Sequence, residues 1–140
     1  MDYKKFNNKY VVRLDKGEEL VEELKKFCKD QKIKLGSISG LGATDKITIG
    51  LFDVKDKKFH SKEFLGAYEI ASLIGNISTM NKEIYLHLHI TIGDKEHKTY
   101  SGHLVKAVIS ATFEGVIDMI DGEIDRQFSD EVGLNLMKFG

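Results

Sequence analysis

The stretch YLHLHITIGDKEHKTYSGH, Tyr85 to His103, carries four of the chain's five histidines. Its first half alternates strictly: Leu86, Leu88, Ile90 and Ile92 share one parity, and His87, His89 and Thr91 the other. In an extended strand successive side chains point to opposite faces, so a period of two gives one apolar and one polar face. The stretch is therefore read as a strand, a turn at "GDKEH" and a second strand from Lys98. Pairing Ile92 with Lys98 across that five-residue turn puts His103 opposite His87 and Ser101 opposite His89. Cross-strand neighbours hold their Cβ atoms ~4.5–5.5 Å apart, so His87, His89 and His103 are expected to converge.

Neutral imidazole is a good ligand for zinc and similar divalent ions, and three of them leave a fourth position open for water, a carboxylate or another small molecule. The same residues equally make a polar sheet face, and their spacing leaves both readings open. His97 lies in the turn and is not counted among the ligands.

Outward from this stretch the pattern is mostly β. The runs "KLGSISGLGATDKITIGLFD", "KFHSKEFLG", "YEIASLIGNIST" and "KTYSGHLVKAVISATFEGVIDMID" are rich in β-branched residues, and glycines with Asp-Lys or Asn-Lys pairs separate them. Hairpin-linked antiparallel strands follow. Nearer the N-terminus, "KYVVRLD" reads as a first strand and "GEELVEELKKFCKD" as a helix of about four turns. Leu20, Val21, Leu24, Phe27 and Cys28 form its apolar stripe, and Asp15 stands three before Glu18, a capping-box spacing. One helix on a mostly antiparallel sheet is a two-layer α+β domain spanning residues 1–140.

Composition excludes several classes. The 140 residues are 41% hydrophobic and 31% charged, with no proline and a single cysteine, Cys28. A disulfide framework is impossible, and Cys28 on the apolar stripe reads as a small core residue. No apolar run has the length of a membrane span or a secretory signal, so the expectation is a cytoplasmic protein. The formal net charge of -1 offers no general surplus for phosphate neutralisation. Lysines do cluster, at Lys25, Lys26, Lys29, Lys32 and Lys34 and again at Lys55, Lys57, Lys58 and Lys62, but arginines number two, Arg13 and Arg126. The glycines of "GSISGLGA" follow a helix and lack the GK[ST] ending of a phosphate loop, so they suggest a bulge, a bend or a close backbone approach. Ser101 and His103 form a Ser-x-His, but no acid partner is singled out among Asp94, Glu114 and Asp118.

Five blocks in order, "GSISGLGAT", "YEIASLIGNIS", "LHLHITIGDKEHKTYSGHL", "ATFEGVID" and "IDRQFSDEVGLNLMKF", resemble the plants-and-prokaryotes-conserved (PPC) domain family. The resemblance implies a small domain with a central antiparallel sheet, assembled as a homotrimer, in the bare prokaryotic form often labelled DNA-binding. It implies a divalent metal, commonly zinc, on His87, His89 and His103. It also singles out Glu114 as the one candidate base if the metal served a hydrolase or lyase, with Ser101 beside the site. Two departures are visible. Ser101-Gly102-His103 stands where the family usually has Gly-Gly-His, and there is no Arg-Gly-Arg-Pro-type AT-hook, so the DNA-binding segment of the plant proteins is not carried with the domain.

Overall fold

The computed structural model describes Met1 to Gly140. Strands β1 (Asp2–Phe6) and β2 (Lys9–Asp15) precede helix α1 (Leu20–Asp30). Four long strands follow, β3 (Gly36–Asp53), β4 (Lys58–Met80), β5 (Glu83–Gly93) and β6 (Thr99–Met119), and a short hairpin, β7 (Arg126–Ser129) with β8 (Leu134–Met137), ends the chain. Every strand pairing is antiparallel. The α+β class, with one helix against a mostly antiparallel sheet, is as the sequence indicates.

The sheet runs β1-β2-β6-β3-β4-β5, and β5 also pairs with β6. This extra pairing closes β6, β3, β4 and β5 into a circuit. Its interior is filled by the apolar parity of each strand, Leu88, Ile90 and Ile92 of β5 among them, all buried. The hairpins are set by local chemistry: Asn81 and Lys82, between β4 and β5, both have positive φ, 52° and 68°. That is the conformation of a two-residue type I′ turn, which Asn tolerates well.

In β2, Tyr10, Val12 and Leu14 are buried while their neighbours face out. Leu20, Leu24, Phe27 and Cys28 bury the apolar stripe of α1, with Phe27 edge-on to Tyr10 at 5.3 Å. A helix of this length is marginal alone in water, so packing of this stripe holds it. Each Leu or Phe so buried contributes roughly 1.5–3 kcal/mol.

The helix starts later than the sequence suggests and has 11 residues. Glu18 does accept a hydrogen bond from the Asp15 N–H at 2.7 Å, but this bond closes a turn and not a helix end. The reason is that the chain is still laddered to β6 there: Gly17, with φ +91°, donates to the Ile109 carbonyl, and Ile109 donates to the Glu18 carbonyl. Only after this bridge does the chain turn helical, with Glu19 as the N-cap.

The glycine run of β3 sits at a close backbone approach. The β3–β4 register shifts between Gly40 and Gly42. A Cβ on Gly42 would lie 2.1 Å from the Thr112 carbonyl oxygen of β6, so no other residue fits without moving a strand.

Candidate metal centre

The outward parity of β5 places Tyr85, His87 and His89 in one row. Across β4 their partners are Ser78, Asn76 and Ile74. On the other edge of β5, His89 pairs with His103 of β6, Ile92 with Tyr100 and Thr91 with Ser101. The register is thus two residues from the one drawn from the sequence: His103 faces His89, not His87, and Ser101 faces Thr91, not His89. The cause lies in the turn, where Asp94 Oδ1 accepts the N–H groups of Glu96 and Lys98 and the Asp94 N–H donates to the Lys98 carbonyl. This sets the five-residue loop at 94–98 instead of 93–97, so that the first ladder pair is Gly93 with Thr99. A shift of two residues keeps every side chain on its face.

So the three imidazoles still meet. Ring centroids are 5.0 Å apart for His87 and His89, 5.5 Å for His87 and His103, and 5.7 Å for His89 and His103. One nitrogen from each lies within 4.8 Å of the others. Tetrahedral ligands on bonds of ~2.0–2.1 Å stand ~3.4 Å apart, so small rotations of the rings suffice to close on an ion. Burial, and then the neighbouring His89 and other positive groups, holds His87 below the ordinary histidine range, and burial followed by His89 does the same to His103. Both imidazoles are therefore neutral near pH 7, with a lone pair free to coordinate. The donor set fits a divalent metal of the zinc type.

Gly102 between Ser101 and His103 is required by packing. A Cβ there would lie 2.6 Å from the Gly50 carbonyl oxygen, at the point where β6 pairs with β3 as well as β5. Ser101, by contrast, is exposed on the rim of the site. Of the two positions before His103, only Gly102 is one that this junction requires to be glycine.

The histidines line a cavity of about 640 Å³. Its walls are Leu51, Phe52 and Phe59 from the β3–β4 end and Leu134, Leu136 and Met137 from the C-terminal hairpin. Phe59 stands edge-on to His103 at 5.8 Å. Arg126 of β7 is the one Lys, Arg, Asp or Glu among the cavity walls, and it is 8% exposed. Its Nε donates to Ser78 Oγ at 2.7 Å, Nη1 to the Asn135 carbonyl at 2.8 Å and Nη2 to Asn76 Oδ1 at 2.9 Å, and its guanidinium lies 4.5 Å over the Tyr85 ring. Burial lowers its pKa from the usual arginine value, and Tyr85 opposes that effect.

Sequence reasoning missed Arg126, Asn76 and the hairpin. A partial signal existed in Tyr85, which shares the parity of His87 and His89, but nothing local ties Arg126 to residues some fifty positions earlier. The structure does not bring Glu114 to the histidines within one chain. It is exposed, pairs with Arg13 of β2, and lies eleven residues along β6 from His103, about 36 Å of extended strand at ~3.3 Å per residue. His97 sits exposed in the turn with φ 66°, outside the cluster, and His60 lines a separate surface cavity.

The profile of the Plants and Prokaryotes Conserved (PCC) domain matches residues 1–121. The chain belongs to this family. Among solved structures, a candidate DNA-binding protein from Bacteroides thetaiotaomicron is 40% identical, with a TM-score of 0.96 over 99% of this chain and 96% of that one. A metal-containing protein from Archaeoglobus fulgidus is 28% identical, with a TM-score of 0.88 over 99% of both chains. The bifunctional protein GlmU of a Synechococcus strain is 26% identical over 84% of this chain. The PCC-domain chain spans only 18% of that curated relative and 14% of a second GlmU. No helix of the chain is long and apolar enough to cross a membrane.

Proposed function

We propose that this PCC-domain chain is a homotrimeric binding module that holds a divalent metal, zinc foremost, through His87, His89 and His103, in a regulatory or DNA-associated role and without catalysis. The observation that carries the reading is the convergence of three imidazoles, with one nitrogen of each within 4.8 Å of the others, in the mouth of a cavity. Likeness to the metal-containing Archaeoglobus protein supports the metal.

Surface area supports the assembly. The chain exposes 8573 Å². A folded monomer of 15.8 kDa is expected to expose roughly 7300 Å². Part of the excess is apolar: Val11, Val116 and Ile74, 47%, 39% and 62% exposed, lie in one cross-strand row on the outer face that also holds Ser39, between Val116 and Ile74, and ends at His89. Exposed apolar side chains gathered on a sheet face mark an interaction surface, and a second copy of the chain would bury them.

Likeness to the Bacteroides protein supports association with DNA. The contacts would have to come from lysines multiplied by assembly, because Arg13 is engaged by Asp2 and Asp15 and Arg126 is enclosed. Such binding is weak, independent of sequence and steeply dependent on salt. The alternative, a hydrolase or lyase using metal-bound water, needs a general base, and no Asp or Glu lines the cavity.

Elemental analysis of untagged protein purified without chelator, with its mass in solution, tests the proposal. One metal per chain in a trimer, lost in His103→Ala, is the expected result. A metal-free protein that refuses added zinc refutes the metal, and a monomer refutes the assembly.

A further inference from the structure

The guanidinium of Arg126 is enclosed without a counter-charge. Its three hydrogen bonds go to neutral acceptors, a hydroxyl, an amide oxygen and a carbonyl. None of the chain's ion pairs includes it. A buried charge without an opposite charge is costly, and a clamp for the C-terminal hairpin needs only the hydrogen bonds, not the charge. A guanidinium carries five N–H groups, so two remain, one on each Nη. Two N–H groups on the two Nη atoms can together meet the two oxygens of a carboxylate.

The surroundings of the guanidinium agree. The cavity has no acidic residue among its walls to satisfy the guanidinium charge. The position is close to the histidines, because Asn76, which accepts from Nη2, is the cross-strand partner of His87. Beyond the charged end the walls are apolar, with Leu51, Phe52, Phe59, Leu134 and Leu136, and the volume of about 640 Å³ is that of a small-molecule site. Charge at one end and an apolar body at the other describe one ligand class.

We infer that this cavity binds a small organic carboxylate with an apolar body, its carboxylate on Arg126 and its body against Phe59 and the C-terminal hairpin. The inference deepens the binding-module reading by naming the ligand class of the same cavity, and it does not need the metal, since the charge of Arg126 is in place in the bare chain.

Benzoate and its neutral counterpart benzamide, titrated into chelator-treated protein and followed by the Arg126 Nε–H resonance and the amides of 134–137, test it. Benzoate is expected to bind at least ~10-fold more tightly than benzamide, the size of a charged hydrogen-bonded contact, and Arg126→Gln is expected to erase the preference. If that variant fails to fold, the benzoate preference of the unmodified chain still decides. Equal binding of the two compounds, or no movement of the Arg126 resonance, leaves Arg126 as a hairpin clamp and overturns the inference. Inorganic phosphate that displaces benzoate with equal or greater affinity overturns the carboxylate assignment. Benzoate binding in a chain that refuses zinc sinks the metal reading alone, whereas zinc binding with no benzoate preference sinks this inference alone.

Discussion

Replacing Glu19 with alanine removes two hydrogen bonds made by one carboxylate. One oxygen accepts from the Glu22 N–H at 2.7 Å and caps α1, and the other accepts from the Ala107 N–H at 2.8 Å and ties the helix to β6. Loss of an N-cap side chain costs about 1 kcal/mol, with a range of about 0.5–2. Ala107 is fully buried, and stranding a buried donor costs about 1–3 kcal/mol. The expected loss is therefore about 2–4 kcal/mol, the lower end applying if water reaches the vacated space. Glu19→Gln keeps one acceptor oxygen and so keeps one of the two bonds, and it is expected to lose about half as much. Urea unfolding followed by far-ultraviolet circular dichroism, at one fixed protein concentration and with an unchanged m value, measures both. A Glu19→Ala loss under about 0.5 kcal/mol, or a Gln variant as damaged as the Ala variant, would show that this carboxylate does not anchor the helix.

Gly42→Ala forces a Cβ to 2.1 Å from the Thr112 carbonyl, so it is expected to cost at least about 3 kcal/mol or abolish soluble expression; a wild-type unfolding curve would refute the close approach. Burial pushes the Cys28 thiol up to about 12, so native protein is expected to resist thiol reagents until it unfolds, and labelling at the rate of a free thiol would contradict its place in the core. His87 and His103 are held below the ordinary histidine range, so zinc affinity is expected to stay level down to about pH 6.5 and to fall as the pH drops through their lowered values. In the metal-free chain the folded state binds those protons less readily than the unfolded one, so stability is full above about pH 6.5 and declines below it. A dye-competition titration and a melting series across pH check both, and affinity that is the same at about pH 5 and pH 8 would exclude histidine ligation.

The sequence alone determined what depends on short-range periodicity. Alternation in "YLHLHITI" separates buried Leu88, Ile90 and Ile92 from His87 and His89 whatever the partner strand, because side-chain parity is a property of the extended backbone itself. The same holds for β2 and for the stripe of α1, and the parity argument survived a register error of two residues because an even shift does not change faces. Strand β1 was not legible, since all five of its residues are exposed and its only partner is β2. The helix start was misplaced because a capping spacing does not reveal that Gly17 and Glu18 are bonded to Ile109. Only the tertiary structure decided the return of β5 to β6, which sets His89 against His103, and the folding of the C-terminal hairpin over the outer face, which carries Arg126 to Asn76 and Ser78. Those contacts join residues far apart in the chain through loop closure and packing, and no local pattern of residues encodes where such partners meet.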